Sequence, residues 1–237
     1  MPAPTGYGQF CPVAKAAEVL ATRWTPLVLR ELVSGSTRFN EIHRGVPLMS
    51  RALLSQRLKA LEAAGIVERG AHGRDARMGE YRLTASGEAL RPVIVAMGLW
   101  GAQWVESALA GPDWDAGVLM WDMRRRIDTA ALPCGRTVLA FENPDAVSEL
   151  RRWWLLVEDD AVDLCQSDPG FDVDLHVRAT VRAMGRVWIG QRPLRAALDA
   201  GEITLHGDRR LAAGIGRWLR LSVIAEAARK APLAHAS

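Results

Sequence analysis

The run SRALLSQRLKALEAAG at residues 50–65 decides the fold of the N-terminal half. Ser50 can accept a hydrogen bond from an N–H of the first turn, and Gly65 can take the left-handed conformation that ends a helix, so the spacing predicts a helix bounded by these two residues. At about 100° per residue, Leu54, Leu58 and Leu61 fall within about 40° of one another and form the stripe to be buried. Ala52, Ser55, Gln56 and Lys59 point the opposite way, with Arg51 at the exposed N-terminal turn. Arg57 lies beside the buried stripe, so its guanidinium has to reach around the helix flank. No acid occurs between Ser50 and Glu62, whereas a merely solvated face usually carries Glu among mixed charges. Small, amide-bearing and positive side chains suit base edges and phosphates in a major groove.

Working outward toward the N-terminus, Val13, Ala16, Ala17 and Leu20 repeat at helical spacing. Thr25 followed by Pro26 reads as an N-cap with proline at the first helical position, opening a second helix to Val33 that Ser34-Gly35-Ser36 stops. Phe39 to Arg44 reads as a third short helix with Phe39 and Ile42 on one face. Working outward toward the C-terminus, the period changes to two: Ile66 and Glu68 alternate with Val67 and Arg69, and Tyr81 and Leu83 resume after the Gly-rich stretch GAHGRDARMG. That pattern predicts a β-hairpin with Arg74 and Arg77 near its tip. Three helices, a hairpin and a basic tip make a winged helix-turn-helix, in which one helix enters the major groove and the tip touches the neighbouring backbone.

The charge distribution agrees with this placement. The chain of 237 residues carries a formal net charge of only +3, yet residues 1–111 hold 13 Lys and Arg against 9 Asp and Glu, while the rest holds 17 against 18. A polyanion would be held by the N-terminal half. Only Lys15, Lys59 and Lys230 are lysine, which with the abundant alanine points to a GC-rich coding genome more than to a need for guanidinium. With 49% hydrophobic and 24% charged residues, wholesale disorder, collagen and small disulfide scaffolds are excluded. Cys11, Cys134 and Cys165 form no close pair, the N-terminal segment lacks the pattern of a signal peptide, and no apolar run is long enough to span a bilayer, so a soluble, cytoplasmic protein without membrane association is expected.

Residues 10–105 resemble the HxlR-type winged-helix transcriptional regulators. The likeness is carried by Cys11-Pro12, Arg23-Trp24, Phe39 with Ile42, Ser50 with Leu54 to Leu58, Gly65-Ile66, and Leu83-Thr84 before a final helix. It implies that residues 50–64 are the recognition helix and that a homodimer binds a palindromic double-stranded DNA operator. The DNA-facing set is then Arg38, Ser50, Arg51, Ser55, Gln56, Arg57, Lys59, Arg74 and Arg77. Family members often carry a basic residue where this chain has Ala52. In some of them a cysteine placed like Cys11 senses oxidants or electrophiles; packing beside Phe10 and Pro12 is the alternative reading of this thiol. The helix expected over residues 86–109, capped by Thr84 or Ser86 and bent near Pro92, carries Leu90, Ile94, Met97, Trp100 and Trp104 at steps of three and four. Exposed aromatic surface of that extent reads either as core shared with the second half or as a partner surface, and the resemblance favours the dimerisation face.

Gly111-Pro112-Asp113 marks the expected boundary between a domain at residues 1–110 and a second at residues 111–237. In the second, a helix from Asp115 to Asp128 precedes strands at Arg136–Glu142, Trp153–Glu158, Ala161–Gln166 and Asp172–Ala179, read as an antiparallel meander. Two short helices, Val181–Ile189 and Pro193–Asp199, a strand Glu202–Leu205 and a helix Asp208–Leu221 complete an α+β domain with helices packed on an antiparallel sheet. This order, with GEITLHGDRRLAAGIGRWLRL at residues 201–221, resembles the sterol carrier protein type domain. The resemblance implies an apolar tunnel for a hydrophobic effector, fatty acyl or sterol-like, at Leu119, Trp121, Trp188 and Trp218. Six of the nine tryptophans lie beyond residue 111, and the residues alone leave core filling and pocket lining both open.

The five histidines show no metal-ligand spacing, and no G-x-S-x-G, P-loop or G-x-G-x-x-G occurs, so no metal, cofactor or catalytic site is expected. The chain therefore reads as a dimeric DNA-binding regulator, a repressor, whose effector would shift the spacing of the recognition helices through the 86–109 helix. A lipid carrier that keeps the winged helix only for dimerisation and a thiol sensor acting through Cys11 are the alternatives.

Overall fold

The computed structural model describes residues 6–71, 79–105 and 113–230, which divide into two compact units, Met1–Met97 and Gly98–Ser237. In the first unit, α1 (Pro12–Leu20), α2 (Thr25–Val33), α3 (Phe39–Gly45) and α4 (Arg51–Ala63) precede a two-stranded antiparallel hairpin of β1 (Val67–Ala71) and β2 (Gly79–Leu83). The helices meet on Val28, Leu29, Ile42, Leu54 and Leu58, all with no exposed surface. Burying one such side chain contributes about 1.5–3 kcal/mol. Ser50 Oγ accepts from the Leu53 N–H at 3.3 Å, and Gly65 at φ 68° ends the following turn, so both expected ends of α4 are in place.

Two N-terminal expectations are corrected. Thr25 does not cap α2: Trp24 stands at the cap in the left-handed region, φ 76°, and Thr25 is already inside the helix and buried. The helix after the hairpin is broken, not bent. Thr84 Oγ1 accepts from the Gly87 N–H and donates to the Gly65 carbonyl at 2.7 Å, so Thr84 caps the short α5 (Ala85–Glu88) and ties it to the end of α4. A new helix, α6 (Arg91–Trp104), then starts with Pro92 in its first turn, where the missing N–H has no intrahelical partner to lose.

The second unit holds α7 (Ala116–Arg124) and five strands, β3 (Arg136–Glu142), β4 (Arg152–Glu158), β5 (Ala161–Cys165), β6 (Leu175–Ala179) and β7 (Ile203–Gly207). Between β6 and β7 lie α8 (Val181–Trp188) and α9 (Leu194–Asp199); α10 (Arg209–Ala213), α11 (Ile215–Trp218) and α12 (Val223–Lys230) follow. The sheet order is β5-β4-β3-β6-β7, and β3 and β6 run parallel. The sheet is thus mixed and not the expected all-antiparallel meander. The physical reason lies in β3. Thr137, Val138, Leu139, Ala140 and Phe141 are all buried, so this strand needs neighbours on both edges and cover on both faces. β6 crosses to its free edge, where the Asp174 carboxylate accepts from the Val138 N–H at 2.7 Å and the Asp174 N–H donates to the Val138 carbonyl at 3.0 Å.

The helix expected at 208–221 is divided at Gly214 into α10 and α11, and Leu219 then forms an antiparallel bridge with Ile127. That bridge also stops α7 from reaching Asp128. α12 was not expected from the sequence. One sheet face, including Leu139, Phe141, Leu155, Leu175 and Val177, packs beneath α7, α8, α9, α10 and α11.

Candidate nucleic-acid interface

The outer surface of α4 follows from its inner one. With Leu54, Leu58 and Leu61 buried, Arg51, Ala52, Gln56 and Lys59 are exposed, and Ser55 and Arg57 are half-buried on the flanks. Gln56 and Lys59 have no hydrogen-bond or ion-pair partner among the described residues, so their donors face solvent. Arg51 is held: its Nη1 donates to Asn40 Oδ1 at 2.9 Å, and its guanidinium lies 5.8 Å from the centre of the Phe39 ring. Arg57 does reach around the flank, where Nε donates to the Arg23 carbonyl at 3.3 Å. Arg38 is exposed, with Nε 3.9 Å from Glu80 Oε1 on β2. Ser50 is exposed but its hydroxyl oxygen already accepts the cap bond. Arg74 and Arg77 lie outside the described residues.

The scaffold behind this face contains groups that the sequence reading missed. Glu31 on α2 is fully buried; its Oε1 accepts from Arg30 Nη2 at 2.9 Å and its Oε2 from the Ser36 hydroxyl at 3.3 Å. Arg30 Nη2 also donates to the Gly45 carbonyl at 2.8 Å, and a Cβ at Gly45 would overlap the Glu31 carboxyl group. Glu41 Oε2 accepts from the N–H groups of Thr37 and of Arg38, the N-cap of α3, which fixes the entry of the chain into that helix. His43 Nε2 donates to the Met49 carbonyl at 2.9 Å and so fixes the turn that leads into α4. The available signal was a lone acid inside the apolar segment TPLVLRELV, since a buried carboxylate requires partners. Leu48 in the same turn was also missed; it is 86% exposed beside the N-terminus of α4.

The expected dimerisation residues separate into two groups. Ile94 is buried in the core of the first unit, and Leu90, half-buried, packs against that core. Met97, Trp100 and Trp104 are exposed, and Val93 joins them at the same helical spacing. In the second unit, Leu119, Trp188 and Trp218 belong to the closed core, where Trp218 Nε1 donates to the Leu211 carbonyl at 2.9 Å. Trp121 is buried beneath the guanidiniums of Arg124 and Arg125, 4.6 and 5.6 Å from its ring centre. None of the four lines the cavity described below. Cys11 is half-buried where α1 begins, and the neighbouring Lys15 is paired with Glu18 at 2.9 Å. Among the described residues no three His, Cys, Asp or Glu side chains gather as metal ligands, and no helix is long and apolar enough to cross a membrane.

A family model for the HxlR-like helix-turn-helix matches residues 19–109. The HTH-type transcriptional regulator YvaP of Bacillus subtilis is 37% identical over 99 residues, covering 41% of this chain and 92% of YvaP. The HTH-type transcriptional regulator sll1512 of Synechocystis is 36% identical over 99 residues, covering 42% of this chain and 73% of that protein. Among solved structures, the reduced form of the transcriptional regulator YodB from Bacillus subtilis is 36% identical, covering 42% of this chain and 98% of that one, with a TM-score of 0.36. The family match ends at residue 109, and nothing in these relatives supports the likeness of the second unit to a sterol carrier protein type domain. With YvaP matched over nearly its whole length, the chain belongs to the HxlR-like helix-turn-helix family, whose matched relatives are transcriptional regulators.

Proposed function

We propose that the protein is a homodimeric repressor that reads a palindromic DNA operator with α4. The observation that carries this reading is the acid-free outer face of α4, Arg51, Ala52, Gln56 and Lys59, set on a helix whose opposite face is fully buried. A rigid helix holding an amide and cations toward solvent matches what the major groove offers: base-edge acceptors and donors flanked by phosphates. Gln56 would read a base edge, while Arg38, Lys59 and, in the sequence between β1 and β2, Arg74 and Arg77 would bind phosphates. The stripe Val93, Met97, Trp100 and Trp104 would join the protomers, and the second unit would receive the signal that alters DNA binding.

Selection of bound duplexes from a random pool tests the reading. Inverted half-sites with centres about one helical turn, or a multiple of it, apart are expected. Gln56→Ala combined with Lys59→Ala should leave only sequence-independent binding. A pool that shows no enrichment, or an enriched site bound equally well by the double variant, would overturn it.

A further inference from the structure

The second unit contains a cavity of about 690 Å³ that none of the functional residues discussed so far lines. That volume lies within the range of small-molecule sites. Its lining is divided in character. Leu194 of α9 and Leu219 and Leu221 after α11 supply an apolar wall, and Gly216 adds no side chain of its own. The wall is anchored in the fold: Leu219 is buried and bridges to Ile127, the Asp128 N–H donates to the Trp218 carbonyl at 2.8 Å, and Arg126 Nε donates to the Leu221 carbonyl at 3.0 Å.

Apart from Ala131 and Pro193, the rest of the lining is charged, with four arginines against two acids. Both acids are engaged: Arg220 lies 3.5 Å from Asp128 and 3.6 Å from Glu226, and Glu226 also pairs with Arg126. Arg195 is paired along α9 with Asp199 at 3.1 Å. Arg217 on α11 and Arg229 on α12 are exposed and have no ion-pair or hydrogen-bond partner among the described residues. The cavity therefore combines a fixed hydrocarbon wall with two uncommitted guanidiniums, groups suited to oxyanions that accept paired N–H donors.

We propose that this cavity binds an amphipathic organic anion, with an apolar ring or short chain against Leu194, Leu219 and Leu221 and a carboxylate or sulfonate drawn to Arg217 and Arg229. The proposal deepens the reading of the second unit as the receiver of a signal. It also moves the ligand away from the tryptophans, of which Trp188 and Trp218 are committed to the core and Trp121 is covered by arginines, to a surface cavity that selects by charge.

The test uses the full chain and two probes of nearly equal shape, 2-naphthoate and neutral 2-naphthylmethanol, titrated at equilibrium by probe fluorescence. One saturable site per chain is expected for the naphthoate, with affinity about tenfold or more above that of the alcohol. Arg217→Ala combined with Arg229→Ala should bring the naphthoate down to the level of the alcohol and leave the alcohol unchanged; both positions are exposed, so the fold should survive. Arg195→Ala, whose cation is paired elsewhere, should change little. Equal affinities of the two probes, no saturable site, or undiminished naphthoate binding by the double variant would each overturn the proposal. No DNA enters the titration, so its failure leaves the operator reading standing, and a failed operator selection leaves the cavity untouched.

Discussion

Trp100→Ala offers the sharpest test of how the protomers associate. The side chain is 62% exposed. Tryptophan presents up to about 250 Å², so about 150 Å² of this ring is open to a partner. If the partner covers half of that, each protomer contributes about 75 Å², and two-fold symmetry doubles the loss to about 150 Å² per dimer. At about 25 cal/mol per Å² the substitution weakens association by about 4 kcal/mol, close to a thousandfold in dissociation constant. Stability of the separate chain should change by no more than about 0.5 kcal/mol, as at other surface positions. Sedimentation equilibrium over a dilution series measures the first quantity, and urea unfolding at low concentration measures the second. Ile94→Ala is the matched control, because that side chain lies six residues away along α6 yet is buried in the first unit. It should lower stability by about 2–5 kcal/mol. A Trp100→Ala chain that dimerises as tightly as the parent, or a parent that is monomeric throughout, would refute the assignment of this stripe.

The remaining predictions concern the winged helix and one helix cap. Arg51→Ala should cost operator affinity without loss of thermal stability, because Arg51 is exposed and its one hydrogen bond is to the exposed Asn40; gel-shift titration and a melting curve separate the two effects. Ser50→Ala should lower stability by about 1 kcal/mol, and Leu58→Ala, in the core beneath the same helix, by about 2–5 kcal/mol. Denaturant midpoints that ranked these two in the reverse order would contradict the placement of α4. Asp208 caps α10, and the N–H groups of Leu211 and Arg210 on its carboxylate hold its pKa below the usual value of 3.8. A depressed folded-state pKa means that the stabilisation is complete above the unfolded value and is lost as the pH falls through the lower folded one. Melting curves from pH 5 down to 2 should therefore show a steeper loss for the parent than for Asp208→Asn, whose side chain still caps but does not titrate.

The parts of the fold set by local chemistry were legible. Ser50, Gly65 and the leucine stripe of α4 are decided within a turn or two of chain, and they stand where the sequence places them. Trp24 was not, because a left-handed tryptophan is disfavoured locally and persists only through its surroundings. In the second unit, strand extents were readable but strand neighbours were not. The signal was present in Val138 to Phe141, an uninterrupted apolar run instead of an alternating one, which marks a central strand. Ile94 and Trp100 belong to one apolar run but stand about 120° apart around α6, and the packing of the first unit's core decides which of the two sides is buried and which is open. For the interface, the outward side chains of α4 could be listed from periodicity alone. The burial of the carboxylate that supports them could not, since Gly45 meets the Arg30–Glu31 pair only after α2 and α3 have packed.

That support separates what can vary from what cannot. Any side chain at position 45 collides with the Glu31 carboxyl, and loss of Glu31 strands the Gly45 carbonyl's arginine beside an emptied site. The outward positions 52, 56 and 59 meet no such constraint. If α4 reads the operator as proposed, its preference can drift by substitution on α4 while α2 and α3 remain a fixed chassis, and a graft of a foreign recognition face onto this protein should be confined to those outward positions.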